Sequence, residues 1–182
     1  LYNQDRKKVI VAVPERSIGA SFSSTNLSER GFFADWEVKD EHNLCTPGSS
    51  LGKVDAFIGF LNGPDATLVC THATLRFAFE RLAAEAFNGT VLAIDEFHHV
   101  SADTEGNRLG ALLRQVMNGS DVHIVAMTGS YFRGDSVPVL SAEDEDKFTP
   151  VTFNYYAQLN GYENLKSLGI GHHFYQGSYT AA

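Results

Sequence analysis

Asp95 and Glu96 are adjacent carboxylates, with His98 and His99 just beyond them. Two acids placed together at a strand end can divide the work of hydrolysis. One faces the hydration shell of a hard cation such as Mg²⁺, and the other orients or deprotonates the attacking water. The preceding residues, Val91-Leu92-Ala93-Ile94, are apolar and of strand-forming character. Such a run belongs inside a sheet, so the acids should emerge at its carboxyl end, the edge where open α/β sheets bind ligands.

Asp95-Glu96-Phe97-His98 resembles the DExH form of the magnesium-binding motif of superfamily 2 helicases and related nucleic-acid-dependent ATPases. Three further segments match in the family's order. Val9-Ile10-Val11-Ala12-Val13-Pro14-Glu15-Arg16-Ser17 is similar to the strand and loop that follow the phosphate-binding loop and touch the nucleic-acid backbone. Leu68-Val69-Cys70-Thr71-His72-Ala73-Thr74-Leu75 resembles the later strand whose terminal threonine contacts the tracking strand. Ile124-Val125-Ala126-Met127-Thr128-Gly129-Ser130, with Tyr131-Phe132-Arg133-Gly134-Asp135 after it, resembles the helicase coupling motif.

The resemblance implies a three-layer α/β fold with a mainly parallel sheet, part of a RecA-like P-loop NTPase motor domain. It implies ATP and Mg²⁺ as cofactors, with Asp95 holding the metal through water and Glu96 acting as the base. His98 would couple the nucleotide site to Thr128 and Ser130, whose hydroxyls can exchange hydrogen-bond partners. Arg16, Ser17 and Thr71 would contact phosphates of the nucleic acid, DNA before RNA. Arg133 and Asp135 would brace the coupling loop, and His99 receives no role.

A phosphate loop of the form G-x-x-x-x-G-K-[ST] is required by such ATPases, because its amides and lysine hold the phosphates and its hydroxyl binds Mg²⁺. The sequence contains no such motif. Gly48-Ser49-Ser50-Leu51-Gly52-Lys53-Val54 has one residue too few between its glycines and a valine where the hydroxyl is needed, and reads as a turn-rich loop. The expectation is therefore an internal fragment, lacking an upstream phosphate-loop segment and a second RecA-like domain. Residues 1–140 would form the motor-domain part. Residues 141–182 would be an acidic loop and exit segment, with Val151-Thr152-Phe153-Asn154-Tyr155-Tyr156 a strand candidate that, together with Ala157-Gln158-Leu159-Asn160-Gly161-Tyr162, resembles the exit segment of restriction-type and repair-type helicases. Such a fragment should fold yet show no measurable ATPase activity, since positioning is most of this catalysis.

Other readings of these residues stay open. Paired acids can simply cap a turn, Thr128-Gly129-Ser130 can simply reverse the chain, and Arg16 can be a solvated loop cation. A binding or scaffold domain that kept the fold without hydrolysis is a second class of function. A metal-dependent hydrolase built on Asp95, Glu96, His98 and His99, with His172-His173, is a third, although no standard zinc spacing is present.

A chain of 182 residues with 43% hydrophobic content can bury a substantial core. Its formal net charge of −8 argues against a general nucleic-acid coat protein and leaves only local strand binding. Cys45 and Cys70 are too few for a disulfide framework and read as reduced, which with the lack of any apolar run of roughly 18 residues points to a cytoplasmic protein with no membrane partner.

The elements needed to present these residues alternate. Strands are expected over Lys8–Val13, Thr67–Thr71, Val91–Ile94 and Val122–Met127, and helices within Ser17–Ser28 and over Leu75–Ala86 and Asn107–Met117. Val54–Leu61 fits a helix or a strand, and Trp36–Val38 a short strand. Strand-helix alternation implies parallel pairing through right-handed crossovers. Asn88-Gly89 and Asn118-Gly119 are turn signals, and the acidic run Ser141–Lys147 reads as a solvated loop.

Overall fold

A computed structural model describes residues 5–46, 52–100, 108–129, 141–152 and 161 of the chain. Two compact units divide it, Leu1–Glu145 and Asp146–Ala182. In the second, the described residues 151–152 are not in a strand and Val151 is exposed. The rest of that strand candidate lies outside the described residues.

Among the described residues, four strands form the sheet of the first unit: β1 (Lys8–Val13), β2 (Thr67–Thr71), β3 (Thr90–Ile94) and β4 (His123–Ala126). Their spatial order is β2-β1-β3-β4 and every pairing is parallel. β1 is central because it can be buried on both sides: Val9, Val11 and Val13 alternate with Ile10 and Ala12, and β-branched side chains pack well on a pleated surface. The register aligns the strand ends, pairing Val13 with Thr71, Ala12 with Ile94, and Ile94 with Ala126. This is the α/β architecture expected of a RecA-like, P-loop NTPase type of domain.

Period-two alternation separates two cores. Ile10, Ala12, Leu68, Cys70, Leu92 and Ile94 face one way and are covered by α2 (Lys53–Asn62), α3 (His72–Arg81) and α4 (Arg108–Gly119). The region 54–61 is thus helical, and its buried Phe57 and Phe60 are three residues apart, on one helical face. Lys8 joins this layer to the sheet, donating to the carbonyls of Phe60 at 2.9 Å, Gly63 at 2.8 Å and Asp65 at 2.7 Å. It closes the C-terminal end of α2, where unpaired carbonyls attract a cation, while burial lowers its pKa.

On the other face, Val11, Val13, Val69 and Cys45 pack with Phe22, Trp36 and Val38 from an irregular segment. The third layer is that segment together with α1 (Arg16–Ala20), a helix of only 5 residues. Trp36 forms an isolated antiparallel bridge with Thr25 rather than the short strand expected over 36–38. Buried Asn43 holds the segment: its Nδ2 donates to Gly19 O at 3.0 Å and Phe22 O at 3.2 Å, and its Oδ1 accepts from Cys45 N at 3.1 Å. Side-chain bonding of this kind replaces a ladder and favours loop over strand.

The helix expected over 75–86 begins earlier and ends earlier, at His72 and Arg81. Leu82 is extended, and a short 3-10 turn over Ala84–Phe87 follows. The break admits Phe87, which is fully buried against Phe79, with ring centroids 5.0 Å apart. Gly89, at φ +70, then turns the chain into β3.

The acidic run differs most from expectation. Ala142–Glu145 is one helical turn, α5, and Asp144 is 3% exposed. Arg114 of α4 donates to its carboxylate from Nε at 2.9 Å, and Ser141 Oγ donates at 2.9 Å. A charge avoids burial only when unpaired, and Arg114 supplies the pair.

Candidate functional site

Parallel pairing in this register brings the motif-bearing strand ends to one edge. Thr71 ends β2, Pro14-Glu15-Arg16-Ser17 follow β1, Asp95-Glu96 follow β3, and Met127-Thr128 follow β4. Backbone bonds continue past the strands, from Asp95 N to Ala12 O and from Met127 N to Ile94 O, both 2.9 Å.

Glu96 sits in the left-handed region at φ +48. For a residue other than glycine this conformation costs roughly 1–2 kcal/mol and persists only where neighbours impose it. Phe97 N donates to Met127 O at 2.8 Å, and the buried Phe97 and Val100 anchor the 3-10 turn that follows. The turn lifts the Glu96 carboxylate away from the sheet, leaving its side chain 41% exposed.

His98 lies beside it. Its Nδ1 is 3.0 Å from Thr128 Oγ1 and 3.2 Å from Glu96 Oε2. The structure therefore brings together Glu96, His98 and Thr128, with Asp95 adjacent in the chain. The rings of His98 and His99 lie against each other, tilted by 38° with centroids 4.2 Å apart. Ser130, Arg133, Asp135 and His172-His173 lie outside the described residues, as do residues 48–51.

The three nucleic-acid candidates have different settings. Arg16 and Ser17 are exposed at the start of α1, with Ser17 Oγ 3.3 Å from Glu15 Oε2. Thr71 is 9% exposed, and its hydroxyl caps α3 by accepting from Thr74 N at 3.2 Å. That cap satisfies an otherwise unpaired amide of the helix start.

His72 is the residue that sequence reading passed over. It is the first residue of α3, and its Nε2 lies 2.9 Å from the Asp95 carbonyl, two strands away. Burial holds its pKa below the ordinary value, outweighing the Asp95 and Ala12 carbonyls, which favour the charged ring. The only sequence signal was a histidine directly after a strand end, at the edge shared with the acids.

Fit to the expected cofactors is partial. Asp95 and Glu96 offer the hard oxygen donors that suit Mg²⁺. Lys53 belongs to no phosphate loop: its Nζ turns inward to the Leu44 and Thr46 carbonyls, and burial lowers its pKa. Among the described residues, one group of three could share a metal ion, Glu41, His42 and Asp65, with ligand atoms within 4.8 Å of one another. It lies at the start of β2, away from the acid-bearing edge. Lys39 Nζ is 2.7 Å from Asp65 Oδ1 and His42 Nε2 is 2.8 Å from Asp65 Oδ2, so an ion-pair network already occupies this carboxylate.

Comparison with known proteins gives one informative match. Over all 182 residues the chain is 59% identical to the putative ATP-dependent helicase YeeB of Bacillus subtilis (strain 168). The chain spans 30% of the length of that relative. No family model matches the chain, and no solved structure matches it. No helix among the described residues is long and apolar enough to cross a membrane.

Proposed function

We propose that this chain supplies the acid-bearing edge of a nucleic-acid-dependent ATPase motor, a helicase or translocase of superfamily 2 acting on DNA. The observation that carries this reading is the convergence of Glu96, His98 and Thr128 beside Asp95 on one edge of a parallel sheet, in a chain so similar to a putative ATP-dependent helicase. Residues 1–140 belong to the first motor domain in this reading, and residues 141–182 lead out of it.

Asp95 holds the hydration shell of Mg²⁺, and Glu96 orients and deprotonates the attacking water. Bound Mg²⁺ would supply charge neutralisation on the phosphates, the electrostatic part of a catalysis that otherwise depends on positioning. His98 links Glu96 to Thr128, and with Ser130 reports the state of the acid to the coupling loop. Arg16 and Ser17, exposed at the same edge, contact strand phosphates, as does the end of β2 at Thr71. Phosphate contacts need only donors and positive charge, so a net acidic chain can make them locally.

A second reading is a helicase-like binding domain without hydrolysis, which a full-length sequence without a G-x-x-x-x-G-K-[ST] motif would support. Phosphate release by the full-length protein, with and without single-stranded DNA or RNA, decides between them. Stimulated release that Asp95→Asn abolishes supports the motor, and nucleic-acid binding without release supports the binding domain. A hydrolase using Asp95, Glu96, His98 and His99 has less support, since these residues do not form a metal-holding group among the described residues.

A further inference from the structure

We propose that His72 is a positioning residue for hydrolysis: by holding the Asp95 carbonyl it fixes the peptide plane on which the left-handed Glu96 depends. The inference rests on the proposed function and adds to it a part for a side chain that acts through the Asp95 carbonyl.

Backbone geometry gives His72 this part. A carbonyl accepts, so the ring donates from Nε2–H to Asp95 O at 2.9 Å. That carbonyl belongs to the peptide between Asp95 and Glu96, and its orientation sets φ of Glu96. The next peptide is held independently, because Phe97 N donates to Met127 O at 2.8 Å. Both planes flanking the Glu96 Cα are thereby anchored, one from α3 and one from the end of β4. Glu96 occupies φ +48, where a side chain is disfavoured, so the conformation needs both anchors. Left-handed strain and one hydrogen bond are comparable in size, so losing the His72 bond is enough to free the plane.

Placement supports the same conclusion. β1 separates β2 from β3 in the sheet, so a side chain at the end of β2 must reach across β1 to touch Asp95. His72 does so from the residue directly after Thr71, whose hydroxyl caps the same helix. The strand end expected near nucleic acid is thus joined, by one imidazole, to the turn that carries the base. Displacing a catalytic group by about 1 Å costs on the order of a hundredfold in rate, so this bond governs turnover more than nucleotide affinity.

Two substitutions in the full-length protein separate the hydrogen bond from the ring's packing. His72→Phe keeps a ring and loses the donor, and His72→Gln loses the ring and keeps an N–H of similar reach. With single-stranded DNA saturating, His72→Phe should lower kcat by roughly tenfold to a hundredfold, with KM for ATP changed by less than about twofold. His72→Gln should stay within about threefold of wild type, because it restores the donor. Wild-type turnover in His72→Phe, or equal losses in both variants through unfolding or otherwise, overturns the inference. Glu96→Gln run alongside keeps the two readings distinct. Absent stimulated hydrolysis in the wild type, or full turnover in Glu96→Gln, overturns the proposed function and this inference with it; full turnover in His72→Phe while Glu96→Gln is inactive overturns this inference alone.

Discussion

Nδ1 of His98 stands 3.0 Å from the hydroxyl of Thr128. The same nitrogen lies 3.2 Å from Glu96 Oε2. When it carries hydrogen it can donate to the carboxylate, and when bare it can only accept from the hydroxyl. The pair therefore has two arrangements that differ in whether Glu96 is engaged, which is what the proposed link between Glu96 as base and the coupling loop requires.

Thr128→Val removes one partner with little change in shape. In the full-length protein it should lower nucleic-acid-stimulated turnover by roughly tenfold, the value of one hydrogen bond of about 1.4 kcal/mol, and shrink the ratio of stimulated to basal rates. Phosphate release measured with and without single-stranded DNA checks it. An unchanged ratio would show that the contact does not couple.

Glu96→Gln keeps the shape of the side chain and removes its basicity. Nucleotide binding should persist while hydrolysis falls by about two or more orders of magnitude, as expected for loss of a general base. Equilibrium binding of a fluorescent ATP analogue beside steady-state phosphate release separates the two effects. Unimpaired turnover would remove Glu96 from the mechanism.

Asp65 offers a pH test of the network at the start of β2. Hydrogen bonds from Lys39 and then His42 hold its carboxyl below its ordinary value of 3.8. A lowered folded pKa means that the unfolded chain binds the proton first, so the stabilisation is complete above 3.8 and is lost as pH falls through the folded value. Below about pH 4.5 the stability gap between wild type and Asp65→Asn in urea melts should narrow, closing as pH falls below 3.8. A gap that widened on acidification would contradict the sign.

Arg114→Ala takes the Arg114 guanidinium away from Asp144, which is 3% exposed. Breaking a fully buried pair costs about 3–5 kcal/mol, but the Arg114 side chain is 39% exposed and water screens part of the loss. A destabilisation of about 2 kcal/mol is expected, read as a shift in the urea midpoint. Shortening both side chains together should cost less than the sum of the single changes, and strict additivity would argue against the pair.

What the sequence determined by itself is the alternation and the order of the motifs. Runs such as Val9-Ile10-Val11-Ala12-Val13 and Val91-Leu92-Ala93-Ile94 commit locally to strands, because β-branched and apolar side chains are stable there only when buried. Once the strands are parallel, the residues after each must gather at one edge, so the positions of Asp95 and Thr128 followed from pattern alone. Tertiary structure decided everything that depends on a partner distant in the chain. The helix over 75–86 stopped short because Phe87 had a place against Phe79, and Asp144 went inside because Arg114 was there to meet it. Lys53 turned to the Leu44 and Thr46 carbonyls. Glu96 took a conformation that its own side chain disfavours because bonds from His72 and Met127, 24 residues before it and 31 after it by numbering, fix the peptides on either side. Hydrophobic periodicity is a property of neighbours in the chain, whereas hydrogen bonds and ion pairs across the sheet exist only after the strands have been brought together.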